Sequence, residues 1–232
     1  MTRVAVIIPA YNEATVIRKV LNQYQSAIKT LSKNIRVKLI VIDDGSSDET
    51  AKNARLTGVR VIRHLLNLGL GGAISTGLKI ARDEEFDGAV TADADGQHDP
   101  HDLIRLISKL AKKQADFIVG SRWLEENKDV PLHRQIGNKY IMNSLTLLFS
   151  GMITTDSQSG LRGFSRRAIE KIRLHPQRME VSTELFAQAR QHHLRYQELP
   201  IKAIYTDYSI AKGQRSLNGL AIIWRLAISR LM

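Results

Sequence analysis

Short apolar runs rich in β-branched residues recur along the first half of the chain, and each is followed by a segment whose apolar residues have helical spacing. The runs are hydrophobic throughout rather than at alternate positions, which is typical of parallel strands covered on both faces. This alternation predicts βαβ units around a mainly parallel sheet. The five predicted strands are residues 4–8, 37–42, 59–63, 89–92 and 117–120.

The segments between and after these strands complete a single α/β domain that covers residues 1–232. The alternation weakens after Gly120, where two further strands are predicted at 160–164 and 195–201. No repeat, low-complexity tract or linker interrupts the sequence. The helices predicted from apolar spacing are residues 13–31, 48–56, 72–82, 102–112, 134–149, 166–172 and 183–191.

The balance of residue types excludes several classes of protein. With 43% hydrophobic and 25% charged residues over 232 positions, the chain can bury a sizeable core, which excludes a disordered tail and a collagen-like fibre. The absence of cysteine excludes disulfides and thiolate sites. Residues 1–120 carry 17 basic and 14 acidic side chains, whereas residues 121–232 carry 17 and 9. The second half is therefore expected to contact an anionic partner.

Polar residues follow every predicted strand of the first half. In an open sheet of this kind, ligands bind outside the carboxyl ends of the strands. Carboxylates, an arginine and the amides of helix starts are therefore expected to meet at one edge of the sheet. The segments that follow the five strands are residues 9–13, 43–46, 64–69, 93–97 and 121–122.

Asp93 and Asp95 form the clearest candidate metal site. Side chains two positions apart in an extended chain point to the same side, so that both carboxylates face one cation. With the amide oxygen of Gln97 they supply half a coordination shell for Mg²⁺ or Mn²⁺ and leave positions for a diphosphate and water. A polar turn is the alternative interpretation, but the surrounding acidic edge favours the metal site.

Two other segments suit a nucleotide. Asp44 has no basic neighbour in sequence, and its carboxylate can accept hydrogen bonds from a base N–H or a ribose hydroxyl. The glycine-rich segment 67–72 lets the backbone approach a phosphate or a neighbouring helix. It is not a dinucleotide-binding fingerprint, because it follows the third strand and has Ile74 where the last glycine should stand. A Walker P-loop is absent from the sequence, which argues against an ATPase or a GTPase.

In their order and spacing, these segments resemble the motifs of family 2 inverting glycosyltransferases with the GT-A fold. Within that family, residues 120–122 and 156–164 are similar to the branch of dolichyl-phosphate mannose synthases and polyprenyl-phosphate glucosyltransferases. The segments that carry the family resemblance are residues 9–13, 43–48, 67–69, 72–77 and 91–100.

The resemblance implies a half that binds a nucleotide sugar, residues 1–122, and a half that binds the acceptor, residues 123–232. It implies that Asp93 lies near ribose and metal, while Asp95 and Gln97 coordinate Mg²⁺ or Mn²⁺ on the diphosphate. The expected donor is a GDP- or UDP-hexose of the mannose or glucose type. The residues implied to hold its nucleotide are Pro9, Tyr11, Glu13 and Asp44.

The same resemblance implies a polyprenyl or dolichyl phosphate as acceptor. A phosphate monoester, with a second pKa of about 6, is already largely dianionic at neutral pH and needs cations rather than a general base. Asp156 is the first candidate base if the acceptor is a hydroxyl, with Glu184 second; otherwise Asp156 orients Arg162 or the transferred sugar. The implied catalytic residues are Asp93, Asp95, Arg122 and Asp156. The cations implied to bind substrate are Arg122, Arg134, Arg162, Lys212 and Arg215.

Residues 217–232 form an apolar helical pattern with a narrow polar stripe of Asn218, Arg225 and Ser229. The segment is too short to cross a bilayer, but a basic helix that contains Trp224 can lie in the membrane interface. Packing on the chain's own core or on a second copy in a homo-oligomer is the alternative. We therefore expect a cytoplasmic protein that is peripheral at the cytoplasmic face of a membrane.

The sequence thus predicts a metal-dependent inverting enzyme that moves a hexose from a nucleotide sugar to polyprenyl phosphate. The first rival is a family 2 enzyme that acts on a sugar hydroxyl of a glycan. The second is a nucleic-acid-binding module, which would explain the net charge of +11. Low aromatic content and an acidic edge that repels phosphate disfavour it, so no nucleic-acid partner is expected.

Overall fold

The computed structural model describes residues 1–124, 141–174, 181–202 and 204, which form one seven-stranded sheet with flanking helices. The strands are β1 (Thr2–Ala10), β2 (Ile35–Asp43), β3 (Arg60–Arg63), β4 (Gly88–Thr91), β5 (Phe117–Ser121), β6 (Arg162–Ser165) and β7 (Tyr196–Pro200). The helices are α1 (Ile17–Ile28), α2 (Thr50–Arg55), α3 (Gly69–Asp83), α4 (Pro100–Ala111), α5 (Asn143–Ser150), α6 (Arg166–Lys171) and α7 (Val181–Gln191).

The strands lie in the order β3-β2-β1-β4-β6-β5-β7. β1 pairs in parallel with β2 and β4, β2 with β3, and β5 with β7. β6 runs antiparallel to both of its neighbours, β4 and β5. The prediction of an α/β fold with a mainly parallel sheet is confirmed. The carboxyl ends of the parallel strands consequently share one edge of the sheet with the start of β6.

The sheet is covered on both faces, as the continuous hydrophobicity of the strands predicts. Successive side chains of a strand point to opposite faces. Val6 and Ile8 of β1 pack in a core cluster with α1 and α4, whereas Ile7 packs in a second cluster with α3, α6 and α7. All three are fully buried, and each such side chain contributes roughly 1.5–3 kcal/mol to folding. The central strands are therefore firmly fixed.

Some helix boundaries differ from the prediction. α1 begins four residues later than apolar spacing indicates, after a turn in which the N–H groups of Val16 and Ile17 both donate to the carbonyl of Glu13. Glu13 N donates to Thr50 Oγ1 (2.7 Å), and Ala14 N donates to Asp48 Oδ2 (3.1 Å). α3 begins three residues earlier than predicted, at Gly69. Of the helix predicted at 134–149, residues 134–140 lie outside the described residues.

A buried carboxylate joins three adjacent strands at the other edge of the sheet. Asp116 directly precedes β5 and accepts hydrogen bonds from Arg195 Nε (2.9 Å), which precedes β7, and from the hydroxyl of Ser165 (3.0 Å) in β6. The hydrogen bond from Arg195 lowers the pKa of Asp116 from 3.8 to about 2, although burial opposes the shift. The folded chain therefore favours the ionised form of this carboxyl group.

We predict that Asp116→Asn lowers the free energy of unfolding at pH 7 by on the order of 2 kcal/mol, because it removes the preference of the folded chain for the carboxylate. In the parent protein this contribution is present above pH 4 and is lost as the pH falls from about 4 to about 2. Urea unfolding across pH 2–7 measures both effects. The exposed Asp83→Asn, which loses only a surface pair with Lys79, serves as control. Identical acid profiles for parent and Asp116→Asn would contradict the prediction.

Candidate functional site

The carboxyl edge of the sheet gathers most of the residues singled out from the sequence. Because β4 and β5 both pair with β6, the segments that follow them flank the segment 154–161 that leads into β6. An acidic segment and an arginine from distant parts of the chain thus meet. The strand residues at this edge are Ala10 of β1, Asp43 of β2, Thr91 of β4, Ser121 of β5 and Arg162 of β6.

Asn12 fixes the loop after β1 against the loop after β2. Its φ of 53° lies in the left-handed region, which Asn tolerates better than most residues. Its side-chain oxygen accepts the N–H of Ser47 (2.9 Å), and its own N–H donates to Ser46 Oγ (3.0 Å). On either side of Asn12, Tyr11 is 45% exposed and Glu13 is buried. This loop therefore presents an aromatic ring at the edge of the sheet.

Asp44 is buried and its carboxylate is held in place. Oδ1 lies 2.7 Å from His64 Nδ1 and accepts the N–H of Leu68 (2.9 Å), just before the glycine-rich start of α3. The other ring nitrogen of His64 lies 2.9 Å from Thr76 Oγ1 of α3. Asp44 thereby links the end of β2 to the loop after β3.

Asp93 forms a close pair with the buried His98, whose Nε2 lies 2.9 Å from Oδ2. The carbonyl oxygen of Asp93 accepts the hydroxyl of Tyr24 (3.1 Å) from α1. Burial by itself would raise the pKa of Asp93, but the charge and hydrogen bond of His98 and the charges of Arg162 and Arg122 bring it below its ordinary value. Asp93 is therefore ionised and lies within electrostatic reach of both arginines.

Asp95 has the opposite electrostatic character. Burial, and then the negative charge of Asp93, raise its pKa from 3.8 to about 6, and Glu13 acts in the same direction. The N–H of Gln97 donates to Asp95 Oδ1 (3.0 Å) and opposes the rise. A cation between the two carboxylates would relieve their repulsion, which is the electrostatic signature expected of a divalent metal site.

Gly160 leaves room for the carboxylate of Asp93. A Cβ added at this position would overlap that carboxylate, so a side chain here is incompatible with the observed position of Asp93. The carbonyl of Gly160 accepts the hydroxyl of Thr91 (2.8 Å), which fixes the segment before β6 against the end of β4. The fold thus makes a cradle around one carboxylate of the pair.

The acidic pair fits a hard cation as half of a shell. Across residues 1–124, 141–174, 181–202 and 204, no group of three or more His, Cys, Asp or Glu side chains is arranged to hold a metal ion. The carboxylates of Asp93 and Asp95 are nevertheless of the ligand type that Mg²⁺ or Mn²⁺ takes, and a bound diphosphate and water could complete the shell.

Arg122 and Asp156 form a bidentate ion pair beside the acidic pair. Arg122 Nε donates to Asp156 Oδ2 (2.7 Å), and Arg122 Nη2 donates to Asp156 Oδ1 (2.8 Å). The backbone N–H of Arg122 also donates to Oδ2 (3.0 Å). Asp156 is fully buried, whereas the side chain of Arg122 retains 14% exposure. Both carboxylate oxygens of Asp156 are therefore engaged in fixing the guanidinium of Arg122.

Arg162 is buried below this pair and does not contact Asp156 through a hydrogen bond in the structure. Arg162 Nη2 donates to the carbonyl of Ser157 (2.9 Å) and to Ser182 Oγ (2.6 Å) of α7. Glu184, the second candidate base, is also buried on α7 and accepts a hydrogen bond from Gln188 (3.2 Å). The sequence predicted that Asp156 orients Arg162 or the transferred sugar, whereas the structure pairs its carboxylate with Arg122.

Several predicted residues are not located by the structure, and two contacts were not predicted. Arg134, Lys212, Arg215 and segment 217–232, which was predicted to be helical, lie outside the described residues. The pairing of His64 with Asp44 and the cradle at Gly160 were missed. Gly160 lies in the segment 156–164 that resembles the family, so its position was the available signal. No local pattern connects His64 to a carboxylate twenty positions earlier.

Comparison with known proteins identifies the family. The sequence model of Glycosyl transferase family 2 matches residues 5–173 of the chain. The chain belongs to glycosyltransferase family 2. The resemblance stated from the motifs is confirmed, and the protein is a glycosyltransferase.

Curated relatives extend over nearly the whole of this glycosyltransferase. An uncharacterized protein of Methanocaldococcus jannaschii is 40% identical over 97% of the chain and 91% of its own length. The UDP-N-acetylglucosamine–dolichyl-phosphate N-acetylglucosaminyltransferase of Methanococcus voltae is 37% identical over 97% of the chain and 95% of its own length. The dolichol-phosphate mannosyltransferase of Pyrococcus furiosus is 30% identical over 99% of the chain and 64% of its own length.

Solved structures support the GT-A fold. Glucosyl-3-phosphoglycerate synthase from Mycobacterium tuberculosis, crystallised with Mn²⁺, uridine diphosphate and phosphoglyceric acid, superposes with a TM-score of 0.65 at 18% identity. The match covers 97% of this chain and 78% of that one. At this level of identity the likeness concerns the fold alone.

We predict that substitutions of two aspartates of this glycosyltransferase differ strongly in their effect on the free energy of unfolding. Asp156→Ala should lower the free energy of unfolding by about 3 kcal/mol, because it leaves the mostly buried guanidinium of Arg122 without its carboxylate. Asp95→Ala should change it by less than about 1 kcal/mol, because the loss of one hydrogen bond is offset by relief of repulsion with Asp93. Urea unfolding at pH 7 measures both. Equal destabilisation by the two variants would contradict this electrostatic description of the site.

Proposed function

We propose that this glycosyltransferase moves a sugar, with inversion, from a nucleoside diphosphate to a polyprenyl phosphate, with the help of Mg²⁺ or Mn²⁺. The observation that carries the proposal is that the pairing of β4 and β5 with β6 brings the Asp93–Asp95 segment and Arg122 to the two sides of the segment that leads into β6. One edge therefore offers a place for a metal-bound diphosphate and a cation for a second phosphate. The named activities of the relatives from Methanococcus voltae and Pyrococcus furiosus support a lipid phosphate as acceptor.

The donor is proposed to lie across the ends of β1, β2 and β4, in the half formed by residues 1–122. The exposed ring of Tyr11 and the buried carboxylates of Glu13 and Asp44 border the place for the nucleoside, together with Pro9 in β1. Asp44 is held by His64, so its carboxylate is pre-oriented to accept a hydrogen bond from the ligand. A hydrogen-bond acceptor whose position is already fixed loses little conformational entropy when a ligand binds, which favours binding of a nucleotide at this position.

Asp93 and Asp95 are the proposed metal ligands, with Gln97 as a third. The bound cation would neutralise the diphosphate and so stabilise it as a leaving group. The chain itself contributes the fixed position of Asp93, which His98 holds through one oxygen while the glycine at 160 leaves space around the carboxylate.

The acceptor phosphate is proposed to bind at Arg122, where the half formed by residues 1–122 meets the half formed by residues 123–232. Its oxygen attacks the anomeric carbon, the bond from that carbon to the diphosphate oxygen breaks, and the nucleoside diphosphate leaves. A dianionic phosphate needs no general base. Because both oxygens of Asp156 are engaged by Arg122, the geometry supports Asp156 as the residue that orients this cation. Arg134, Lys212 and Arg215 stay predicted partners of the acceptor.

A hydroxyl acceptor fits the described site less well. It requires a carboxylate within hydrogen-bond reach of the attacking oxygen. Asp156 is fully buried and paired, and Glu184 is buried on α7 with Gln188 as a neighbour. The identity of the sugar is a matter for experiment, since the two named archaeal relatives transfer N-acetylglucosamine and mannose respectively.

We predict that the purified protein, with Mg²⁺ and polyprenyl phosphate, converts one labelled donor among UDP-N-acetylglucosamine, UDP-glucose and GDP-mannose into an organic-extractable product. Asp95→Ala should lower this turnover by at least about 100-fold, because the leaving diphosphate loses its cation. Asp83→Ala, at the exposed end of α3, should retain parental activity and serves as the matched control. Nucleotide binding without lipid product from any donor would contradict the proposed acceptor. Full activity of Asp95→Ala would contradict the metal site.

The second proposed feature is peripheral contact with a membrane through α5. None of the helices in the described part of the chain is long and apolar enough to cross a bilayer. α5 and the loop after it nevertheless expose large apolar side chains next to the loop that carries Asp156. Arg190, an exposed cation, lies beside the end of α5, with its guanidinium 3.4 Å from the carbonyl of Ser150. The exposed apolar residues are Ile141 just before α5, Leu147 and Leu148 in α5, and Ile153 after it.

Apolar side chains flanked by a cation suit an anionic lipid surface, where the hydrocarbon enters the interface and the charge meets the headgroups. A polyprenyl phosphate in the membrane also has its phosphate at the depth of the lipid headgroups. Contact through α5 would therefore bring the acceptor to Arg122 without extracting its lipid chain. Peripheral attachment at the cytoplasmic face is proposed on this basis.

We predict that Leu147→Gln with Leu148→Gln weakens binding to vesicles containing anionic lipid roughly 100-fold, because two leucines no longer enter the interface. Flotation with vesicles of zwitterionic lipid alone and with added phosphatidylglycerol measures the effect. The control is Leu65→Gln with Leu66→Gln, the same change at two even more exposed positions that follow β3, the strand at the end of the sheet opposite β7. Loss of flotation in the control alone, or in neither variant, would contradict contact through α5.

A further inference from the structure

The carboxylate of Glu198, on the edge strand β7, accepts four hydrogen bonds. Oε1 accepts the hydroxyl of Thr154 (2.8 Å) and the backbone N–H of Thr155 (2.8 Å), and the hydroxyl of Tyr196 lies 2.9 Å away. Oε2 accepts the hydroxyl of Thr155 (3.0 Å). All of these donors except Tyr196 belong to the two residues that immediately precede Asp156. Glu198 therefore fixes the segment that carries the partner of Arg122.

The contacts of Glu198 also reach the strand end that carries Arg122. Thr155 Oγ1 lies 2.6 Å from Ser121 Oγ, and Ser121 Oγ accepts the backbone N–H of Trp123 (3.2 Å). Because Thr155 donates to Glu198, Ser121 must donate to Thr155. The donors thus run in one direction, from Trp123 through two hydroxyls to the carboxylate of Glu198. Such a chain has a defined polarity only while its end is an acceptor.

Two strands and one loop are held in register by this chain. Ser121 and Trp123 flank Arg122, while Thr154 and Thr155 precede Asp156, and the N–H of Asp156 donates to Thr154 Oγ1 (3.2 Å). β5 and β7 pair in parallel with Val119 opposite Glu198, so the carboxylate starts from a rigid strand. Burial raises the pKa of Tyr196, which keeps its hydroxyl a neutral donor.

We propose that Glu198 is a positioning residue that sets the orientation of Arg122 toward the acceptor by terminating this chain of hydrogen bonds. The inference rests on the proposed function, because it assigns Arg122 to the acceptor phosphate. Glu198 does not itself touch substrate. It acts through Thr155 and Asp156, and the donor half of the site on β1, β2 and β4 lies outside its contacts.

Glu198→Gln tests the proposal with a nearly isosteric change. The amide places a donor where an acceptor is required, so that one of the threonine hydroxyls must turn away. We expect kcat/KM for the acceptor to fall about 10-fold to 100-fold, with the KM for the donor sugar unchanged. Arg122→Ala should lower kcat/KM for the acceptor in the same selective way. Glu170→Gln, an exposed carboxylate that pairs with Arg166 on α6, is the matched control and should behave as the parent.

A second pair of variants covers the case in which Glu198→Gln does not fold. Thr155→Val keeps the shape of the side chain and the backbone N–H bond to Glu198 but removes the hydroxyl that links β5 to the chain. It should show the same selective loss toward the acceptor. Thr155→Ser restores the hydroxyl and should recover most of that loss, which a purely structural role of the methyl group would not produce. Calorimetry with the donor nucleotide verifies that each variant is folded.

A spectroscopic measurement decides the positioning role independently of turnover. The Arg122 guanidinium lies 5.7 Å from the centre of the Trp123 ring, so its orientation affects the fluorescence of that indole. The chain has two tryptophans, and Trp224→Phe leaves Trp123 as the single reporter. In that background Glu198→Gln and Thr155→Val should shift the emission and its quenching by acrylamide, whereas Glu170→Gln should not.

The outcomes separate the two proposals. If the parent protein makes no lipid product, the proposed acceptor is wrong, and the Trp123 spectra alone decide whether Glu198 positions Arg122. If the parent makes lipid product and the selective kinetic loss accompanies the spectral change, the positioning role is supported. Parental spectra and parental acceptor kinetics in both Glu198→Gln and Thr155→Val would overturn it. An equal loss toward donor and acceptor would also overturn it.

Discussion

The insertion of β6 between β4 and β5, antiparallel to both, is the constraint on which the site depends. Thr91 at the end of β4 pairs with Arg162 at the start of β6, and Val119 of β5 pairs with the same residue on the other side. The segment that leads into β6 is thereby fixed between the acidic segment and Arg122. A parallel strand at this position would start at the opposite edge, and Asp156 and Gly160 would be far from Asp93.

The charged residues at this edge form two groups, one in which opposite charges are paired and one in which like charges repel. Arg122 and Asp156 compensate each other with good geometry and little exposure, which makes their relative position rigid. Asp93 and Asp95 repel each other, and His98 contacts the first of them directly while acting on the second only through its charge. In the first group the guanidinium of Arg122 is therefore held in a fixed position, while in the second a bound metal ion would balance the negative charge of the two carboxylates. The proposed transfer between two phosphate-bearing substrates uses both groups at one place.

Much of the fold could be predicted from the sequence because strands buried on both faces leave a clear local pattern. The seven predicted strands are all present in the described residues, with ends shifted by a few positions. The starts of α1 and α3 differ from the prediction. At α1, residues 13–16 form a turn in which the carbonyl of Glu13 accepts the N–H groups of Val16 and Ile17, and apolar spacing does not separate such a turn from the helix that follows it. The motif order, rather than any single residue, was sufficient to predict the family that the comparison confirmed.

The sequence by itself determined the apolar strands, their parallel arrangement and the placement of polar residues after them, because burial and period are local properties of a chain. Only the tertiary structure decided which charges pair. Asp156 meets Arg122, 34 positions away, and Asp44 meets His64, 20 positions away. Glu198 reaches Thr155 across 43 positions. The order of the strands and the antiparallel direction of β6 determine these partners. Neither property can be read from the hydrophobic periodicity of the sequence.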